Sequence, residues 1–192
     1  KPVWRRMVEG KNLSDRFKKA TAIFFIGNDF NAETYRKHER KMFALLPSTS
    51  PQISFNDIEL AEKDATKFIY FGGSGLICKG LDLVLEAFDG LDELSLDVCC
   101  DTVEYDFWNY YAPLLRRNPQ IRIHGFIEVG SKRFHQLTAP ISFNVFPGSS
   151  EGCATSVVTC MRRGIIPLVT RETGVDVGGF GTILTNVDVR EI

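Results

Sequence analysis

"FPGSSEGCATSVVTCMRRGIIPLVT", residues 146–170, decides how the rest of the chain is read. An apolar run ends at Phe146-Pro147, small residues surround a single acid, Glu151, and a segment of helical pattern runs to Gly164 before a second apolar run begins. The spacing predicts strand, loop, helix over 155–164 and strand, with Gly164 as the helix C-cap. A lone carboxylate at such a strand-to-helix junction has two readings. It stabilises the helix dipole. Alternatively, the small neighbours let a ligand lie against the backbone while Glu151, an acceptor only when ionised, orients hydroxyl groups.

Outward from this stretch, apolar runs of strand length alternate with helix-like segments. AIFFIG (22–27) reads as a buried strand, 32–40 as a polar helix and FALLP (43–47) as a short strand. STSPQISFNDIELAEKDAT (48–66) carries breaker residues and reads as a loop or linker. From KFIYFGG (67–73) a regular rhythm sets in. Strands are expected at 94–100, 121–126, 141–147, 165–170 and 182–185, with helices at 79–88, 104–117 and 131–138. In the first of these helices Leu81, Val84, Leu85 and Phe88 share one face. Near-continuous apolar strands alternating with helices predict α/β architecture: a doubly wound parallel sheet, Rossmann-like, with ligands bound beyond the carboxyl ends of the strands.

Composition narrows the function classes. The chain has 192 residues, 44% hydrophobic and 24% charged, with net charge -1. No global basic field is present to hold nucleic acid. No apolar run approaches the ~20 residues of a membrane span, and the basic N-terminus lacks the apolar region of a signal peptide. Five cysteines without framework spacing point to a reducing, cytoplasmic compartment. The three histidines have no CxxC or HxxxH spacing near them, so no structural zinc site is expected. The chain opens inside a charged amphipathic segment and stops at VDVREI, as a fragment of a longer protein would.

Four strand ends are candidates for chemistry. GGSGLICKG (72–80) is a glycine-rich turn in which Gly73, Ser74 and Gly75 suit a phosphate, with Lys79 in reach of the same anion. It matches neither G-x-G-x-x-G, since position 78 is Cys78, nor the P-loop pattern. Asp101, after the next strand, stands where a ribose-binding acid sits in an NAD site, or it belongs to the start of the following helix. In HGFIEVGSK, Gly125 and Phe126 offer backbone and an aromatic face to a planar base, while His124 reads as structural. The fourth is the opening stretch. There the N–H groups of Cys153, Ala154, Thr155 and Ser156 would face a pyrophosphate while Glu151 held hydroxyls, which outlines a sugar nucleotide. In the aromatic helix, FWNYYAPLL reads as core or as an exposed contact surface.

KFIYFGGSGLICKGLDLVLEAF, with FNVFPGSSEGCATSVVTCMRRGIIPLVT about seventy residues later, resembles the group 1 glycosyltransferases. These are retaining GT-B enzymes related to glycogen synthase. The resemblance covers residues 67–185, their donor-binding domain, and residues 20–50 are similar to the end of the N-terminal domain. It implies a division into 1–50 (end of the acceptor domain), 51–66 (linker) and 67–192 (nucleotide-sugar-binding domain). It further implies that Lys79 binds the donor diphosphate and that Glu151, first acid of an E-x7-E pattern, contacts the donor sugar. Gly152 to Ser156 would cradle the donor, and Phe126 and Ile127 would meet the base. Two positions depart from the family. Ser74 stands where an arginine is usual, and Thr159 stands where the second, ribose-binding acid is usual. The implied reaction is transfer of a sugar from a nucleoside diphosphate to an acceptor hydroxyl, with no metal and no cofactor. The acceptor would be a glycan, lipid or small molecule held by the N-terminal domain, and the protein would be cytoplasmic or peripheral at the inner membrane face. The isolated chain would bind donor and transfer nothing. Two rivals stay open: a degenerate binding or scaffolding domain, favoured by Ser74 and Thr159, and an NAD-binding Rossmann domain.

Overall fold

The computed structural model describes residues 17–45, 47, 62–186 and 188–192. Its body is a six-stranded sheet, parallel throughout. The strands are β3 (Asp64–Phe71), β4 (Ser95–Cys99), β5 (Ile121–Ile123), β6 (Ile141–Phe146), β7 (Ile166–Thr170) and β8 (Thr182–Leu184), in the order β5-β4-β3-β6-β7-β8. Helices α2 (Leu81–Ala87), α3 (Tyr105–Arg117), α4 (Lys132–Thr138) and α5 (Thr155–Arg162) connect them. The strand order reverses between β3 and β6, so the crevice where such sheets take ligands opens between the loops that follow these two strands.

Alternation along the strands builds a core on each face. Tyr70, Leu96, Val98 and Val145 point to one side and pack with Leu81, Val84, Leu85, Phe107 and Leu114. Ile69, Phe71 and Cys99 point to the other and pack with Phe134 and Cys160. Full burial of each such aliphatic side chain contributes roughly 1.5–3 kcal/mol. β3 and β6 are tied further by the stacked rings of Phe68 and Phe143, 5.0 Å apart, and by Asn144 Nδ2 donating to Ile69 O at 3.0 Å. α5 ends as expected: Gly164 is left-handed (φ 71°), and Ile165 N reaches back to Cys160 O.

A second, two-stranded parallel sheet pairs β1 (Ile23–Ile26) with β2 (Met42–Leu45). The buried strand expected at 22–27 is exposed on one face: Phe24 and Phe43 stack on each other while each stays more than half exposed. Only β2 pairs with β1 among the described residues. The helix expected at 32–40 begins earlier and is shorter. Asn28 caps α1 (Asp29–Glu33) by accepting from Asn31 N, and a 3-10 turn covers Arg36–Lys41. β3 starts at Asp64, inside the stretch read as linker, because Asp64 N donates to Pro140 O and its backbone pairs with Ile141. The rest of that stretch lies outside the described residues except for Glu62 and Lys63. β5 stops at Ile123 rather than reaching Phe126, since Gly125 turns left-handed (φ 71°). His124 is structural, as expected: it sits with Arg122 on the buried carboxylate of Asp97, at 2.6 Å. α3 is core and surface at once, with Phe107, Tyr111 and Leu114 inward and Tyr105 and Tyr110 exposed.

All five cysteines are free. Burial pushes the Cys99 and Cys100 thiols up to about 12, with Asp97 and Asp101 adding to the effect, so both stay protonated at neutral pH. Iodoacetamide at pH 8 is therefore expected to modify exposed Cys78 in the folded chain. It should reach Cys99, Cys100 and Cys160 only in denaturant, as peptide mass mapping would read out.

Candidate donor site

The loops after β3 and β6 meet at the switch point and are packed backbone to backbone. Ser149 donates to Cys78 O through both its N–H (2.9 Å) and its hydroxyl (3.0 Å). Gly80, at φ 74°, lies so close to Pro147 that a Cβ there would stand 2.4 Å from Pro147 O. Both sequence segments that carry the resemblance therefore form one surface.

On that surface Lys79 Nζ and Glu151 Oε1 form an ion pair. Their side chains keep only 23% and 18% exposure, so the pair is shielded from water on most sides and open on one. The ammonium also lies 5.8 Å from the centre of the Phe146 ring, which itself stacks on Tyr70. An ammonium has three donors, and Glu151 engages one of them. Two remain for an incoming anion. The backbone of Glu151 is fixed as well: its N–H donates to Glu172 O (3.0 Å), and its carbonyl accepts from Asn31 Nδ2 (2.7 Å).

Two amides of the glycine-rich turn are occupied. Gly75 N and Leu76 N both donate to Glu104 Oε1, at 2.5 and 3.1 Å, so a carboxylate of the chain itself sits where a phosphate oxygen was expected. Glu104 stands at the start of α3 but makes no capping bond to it. Ser74 Oγ donates to Asp101 Oδ2, and Asp101 Oδ1 accepts from Val103 N. Each oxygen of Asp101 thus accepts one bond within the loops, which ties the carboxylate to the glycine-rich turn and to the start of the following segment. Gly73 is exposed, with open space around its Cβ direction. Beyond Glu104 lies a cavity of about 720 Å³ lined by Ile77, Asp82, Tyr105 and Tyr110, and neither Lys79 nor Glu151 takes part in it.

Around the start of α5 the expected residues separate. Glu151, Gly152, Thr155 and Ser156 keep some exposure, Cys153 is half-buried and Ala154 is buried. Ala154 N donates to Thr173 O at 2.8 Å, so this amide is not available to an anion. Thr159 is buried, and its hydroxyl donates to Thr155 O at 2.8 Å, one turn back in its own helix. That proton is committed, and Thr159 does not take the place of a ribose-binding acid by donating. Phe126 is 76% exposed on the loop after the edge strand β5. Ile127 is buried with Phe134 and Cys160, so its side chain serves the core and only its backbone can face a base.

Sequence reading missed Glu104, Asn28 and Asn31. The cap was legible, since Asn before a helix is a signal. Apart from that cap, the partners of these three residues lie 28 to 143 positions away, and no local pattern announces them.

The fold matches that of the Rossmann-like half of GT-B glycosyltransferases of known structure. The chain is similar to the catalytic domain of starch synthase IV from Arabidopsis thaliana bound to ADP and acarbose, at TM-score 0.66 and 13% identity, over 91% of this chain and 47% of that one. It is similar to Anabaena HepE in complex with UDP and glucose, at TM-score 0.69 and 15% identity, over 94% and 53%. It is also similar to an S. aureus TarM variant in complex with fondaparinux, α-GlcNAc-glycerol and UDP, at TM-score 0.70 and 9% identity, over 94% and 37%. The chain thus spans about half or less of the solved structures it resembles. No family model matches the sequence, and no curated protein matches it. Among the described residues, no helix is long and apolar enough to cross a membrane.

Proposed function

We propose that this chain supplies the donor site of a glycosyltransferase that moves a sugar from a nucleoside-diphosphate sugar to an acceptor hydroxyl with retention. The observation that carries this reading is the Lys79–Glu151 pair at the switch point, where the two loops meet. Glu151 accepts from sugar hydroxyls. Lys79, steadied by that carboxylate, turns its remaining donors to the diphosphate. As the glycosidic bond breaks, negative charge grows on the leaving diphosphate, and a fixed ammonium in a shielded crevice stabilises it more than water would. No metal ion is assigned, because Lys79 provides the positive charge. The acceptor is held by the remainder of an N-terminal domain, which in this reading packs on the exposed apolar face of Phe24, Ile26, Phe43 and Leu45. A cytoplasmic setting accords with five free thiols.

A second reading is a domain that keeps the fold without turnover. Glu104 on the turn amides and the committed hydroxyl of Thr159 favour it. Calorimetric titration of the chain with UDP, GDP, ADP and NAD separates the readings. One nucleoside diphosphate is expected to bind and NAD to give no heat. If none binds, the donor-site reading falls and the non-catalytic one stands.

A further inference from the structure

The carboxylate of Glu151 is only as well placed as its main chain, and one tether of that main chain comes from a distant part of the chain. Asn31 Nδ2 donates to Glu151 O at 2.7 Å across a separation of 120 residues. The contact belongs to a larger clasp. Asn28 Nδ2 donates to Arg171 O at 3.2 Å, next to Glu172, whose carbonyl holds Glu151 N. The Arg171 guanidinium lies over the Phe30 ring, 4.7 Å from its centre. Gly27 and Gly174 close on Gly152 from two sides, and a Cβ on either would stand 2.4 or 2.3 Å from Gly152 O. Segment 27–31 is thus fitted to the backbone of residues 151–152 and 171–174, with no room for a side chain at Gly27 or Gly174.

The orientation of the Asn31 amide follows from its partner. Turned over, its oxygen would face the Glu151 carbonyl oxygen and repel it, so the N–H₂ must point there. Its Oδ1 accepts no hydrogen bond and is buried against Gly174. The side chain is held for the one bond it donates.

We propose that Asn31 is a positioning residue for Glu151. It acts through the main chain, fixing where the carboxylate meets the donor sugar and tying that placement to the segment that precedes the linker. This rests on the donor-site reading above. A residue that merely stabilises the fold would weaken all ligands alike. A residue that positions Glu151 affects only what Glu151 touches, namely the sugar.

The test is therefore a ratio. Affinity is measured for UDP and UDP-glucose, ADP and ADP-glucose, and GDP and GDP-mannose, on the wild-type chain, Asn31→Ala, Asn31→Asp and Glu151→Gln, with a thermal melt of each. For the matching base, Asn31→Ala is expected to lower the preference for the sugar-bearing form at least threefold. Asn31→Asp, which sets an acceptor against the Glu151 carbonyl, should lower it further, and affinity for the bare diphosphate should stay within twofold. Glu151→Gln should lower the ratio in the same direction. If Glu151→Gln lowers the ratio and both Asn31 variants leave it unchanged, the positioning role is overturned while the donor-site reading stands. If Glu151→Gln leaves the ratio unchanged, the role of Glu151 itself falls, and that of Asn31 with it.

Discussion

Lys79→Ala is expected to weaken nucleoside-diphosphate binding by about 10- to 100-fold. The figure follows from the loss of a charge-assisted hydrogen bond, worth roughly 1.5–3 kcal/mol, at about 1.4 kcal/mol per factor of ten. The same change leaves the Glu151 carboxylate, 18% exposed, without its cation. Breaking a fully buried pair costs about 3–5 kcal/mol and an exposed one about 0–1, so a pair shielded to this extent should cost about 1–3 kcal/mol of stability. Adding Glu151→Ala should return part of that stability while binding stays weak, a coupling that a double-mutant cycle measures directly. Rising salt should weaken the wild-type chain more than the variant. Glu104→Gln is the converse change. The amide oxygen can still accept from Gly75 and Leu76, but the negative charge beside the expected phosphate is gone. Diphosphate binding should tighten, by about threefold or more if even ~0.7 kcal/mol of repulsion is relieved. Unchanged binding in Lys79→Ala would remove Lys79 from the site, and weaker binding in Glu104→Gln would show that the turn amides seat no phosphate.

Much of the fold could be read from the sequence, because period and punctuation agree along it. Each strand from β3 to β8 was expected within a few residues, since alternating faces, glycine turns and the Gly164 cap are local signals. Most of the failures depend on partners far along the chain. AIFFIG looked buried because it is apolar on both faces, but burial requires a second layer, and β1 pairs only with β2 among the described residues. The helix after it begins at Asp29 rather than at residue 32 because Asn28 caps it, and that signal is local. At the site, Lys79 and Glu151 could be picked out as charged residues among small ones at strand ends, and the structure joins them. Ser74 and Thr159 could be picked out as departures from a pattern. What replaced the expected contacts could not be read: Asp101 and Glu104 fill the turn, and the Thr159 hydroxyl folds back on its own helix. A carboxylate reaching across 28 or 29 positions to backbone amides leaves no periodic trace.

Gly80→Ala is expected to be among the most damaging single methyl additions at this site. Gly80 sits at φ 74°, where a Cβ costs roughly 1–2 kcal/mol. The added carbon would also stand 2.4 Å from Pro147 O and 2.7 Å from Pro147 Cγ, well inside contact distance, and neither is the tip of a flexible side chain. Backbone must move, which typically costs a further ~1–3 kcal/mol. The sum, about 2–5 kcal/mol, is a large share of the ~5–15 kcal/mol that holds a domain together. At about 2–4 °C per kcal/mol for a chain of this size, the melting temperature should fall by roughly 4–20 °C. The consequence for function is as direct. Pro147 leads into the loop that carries Ser149 and Glu151, and Ser149 is bonded to Cys78, next to Lys79. Pushing the loops apart at Gly80 separates Lys79 from Glu151, so any surviving folded protein should bind diphosphate as poorly as Lys79→Ala. Gly73→Ala is the matched control in the same turn. Its φ is not left-handed, and nothing lies within 4 Å of the new carbon. Its melting temperature should match the wild type to within about 2 °C, corresponding to ~0.5 kcal/mol. Equal melting temperatures for Gly80→Ala and the wild type would mean that the two loops are not packed at Pro147, and the shared surface that defines the site would go with that contact.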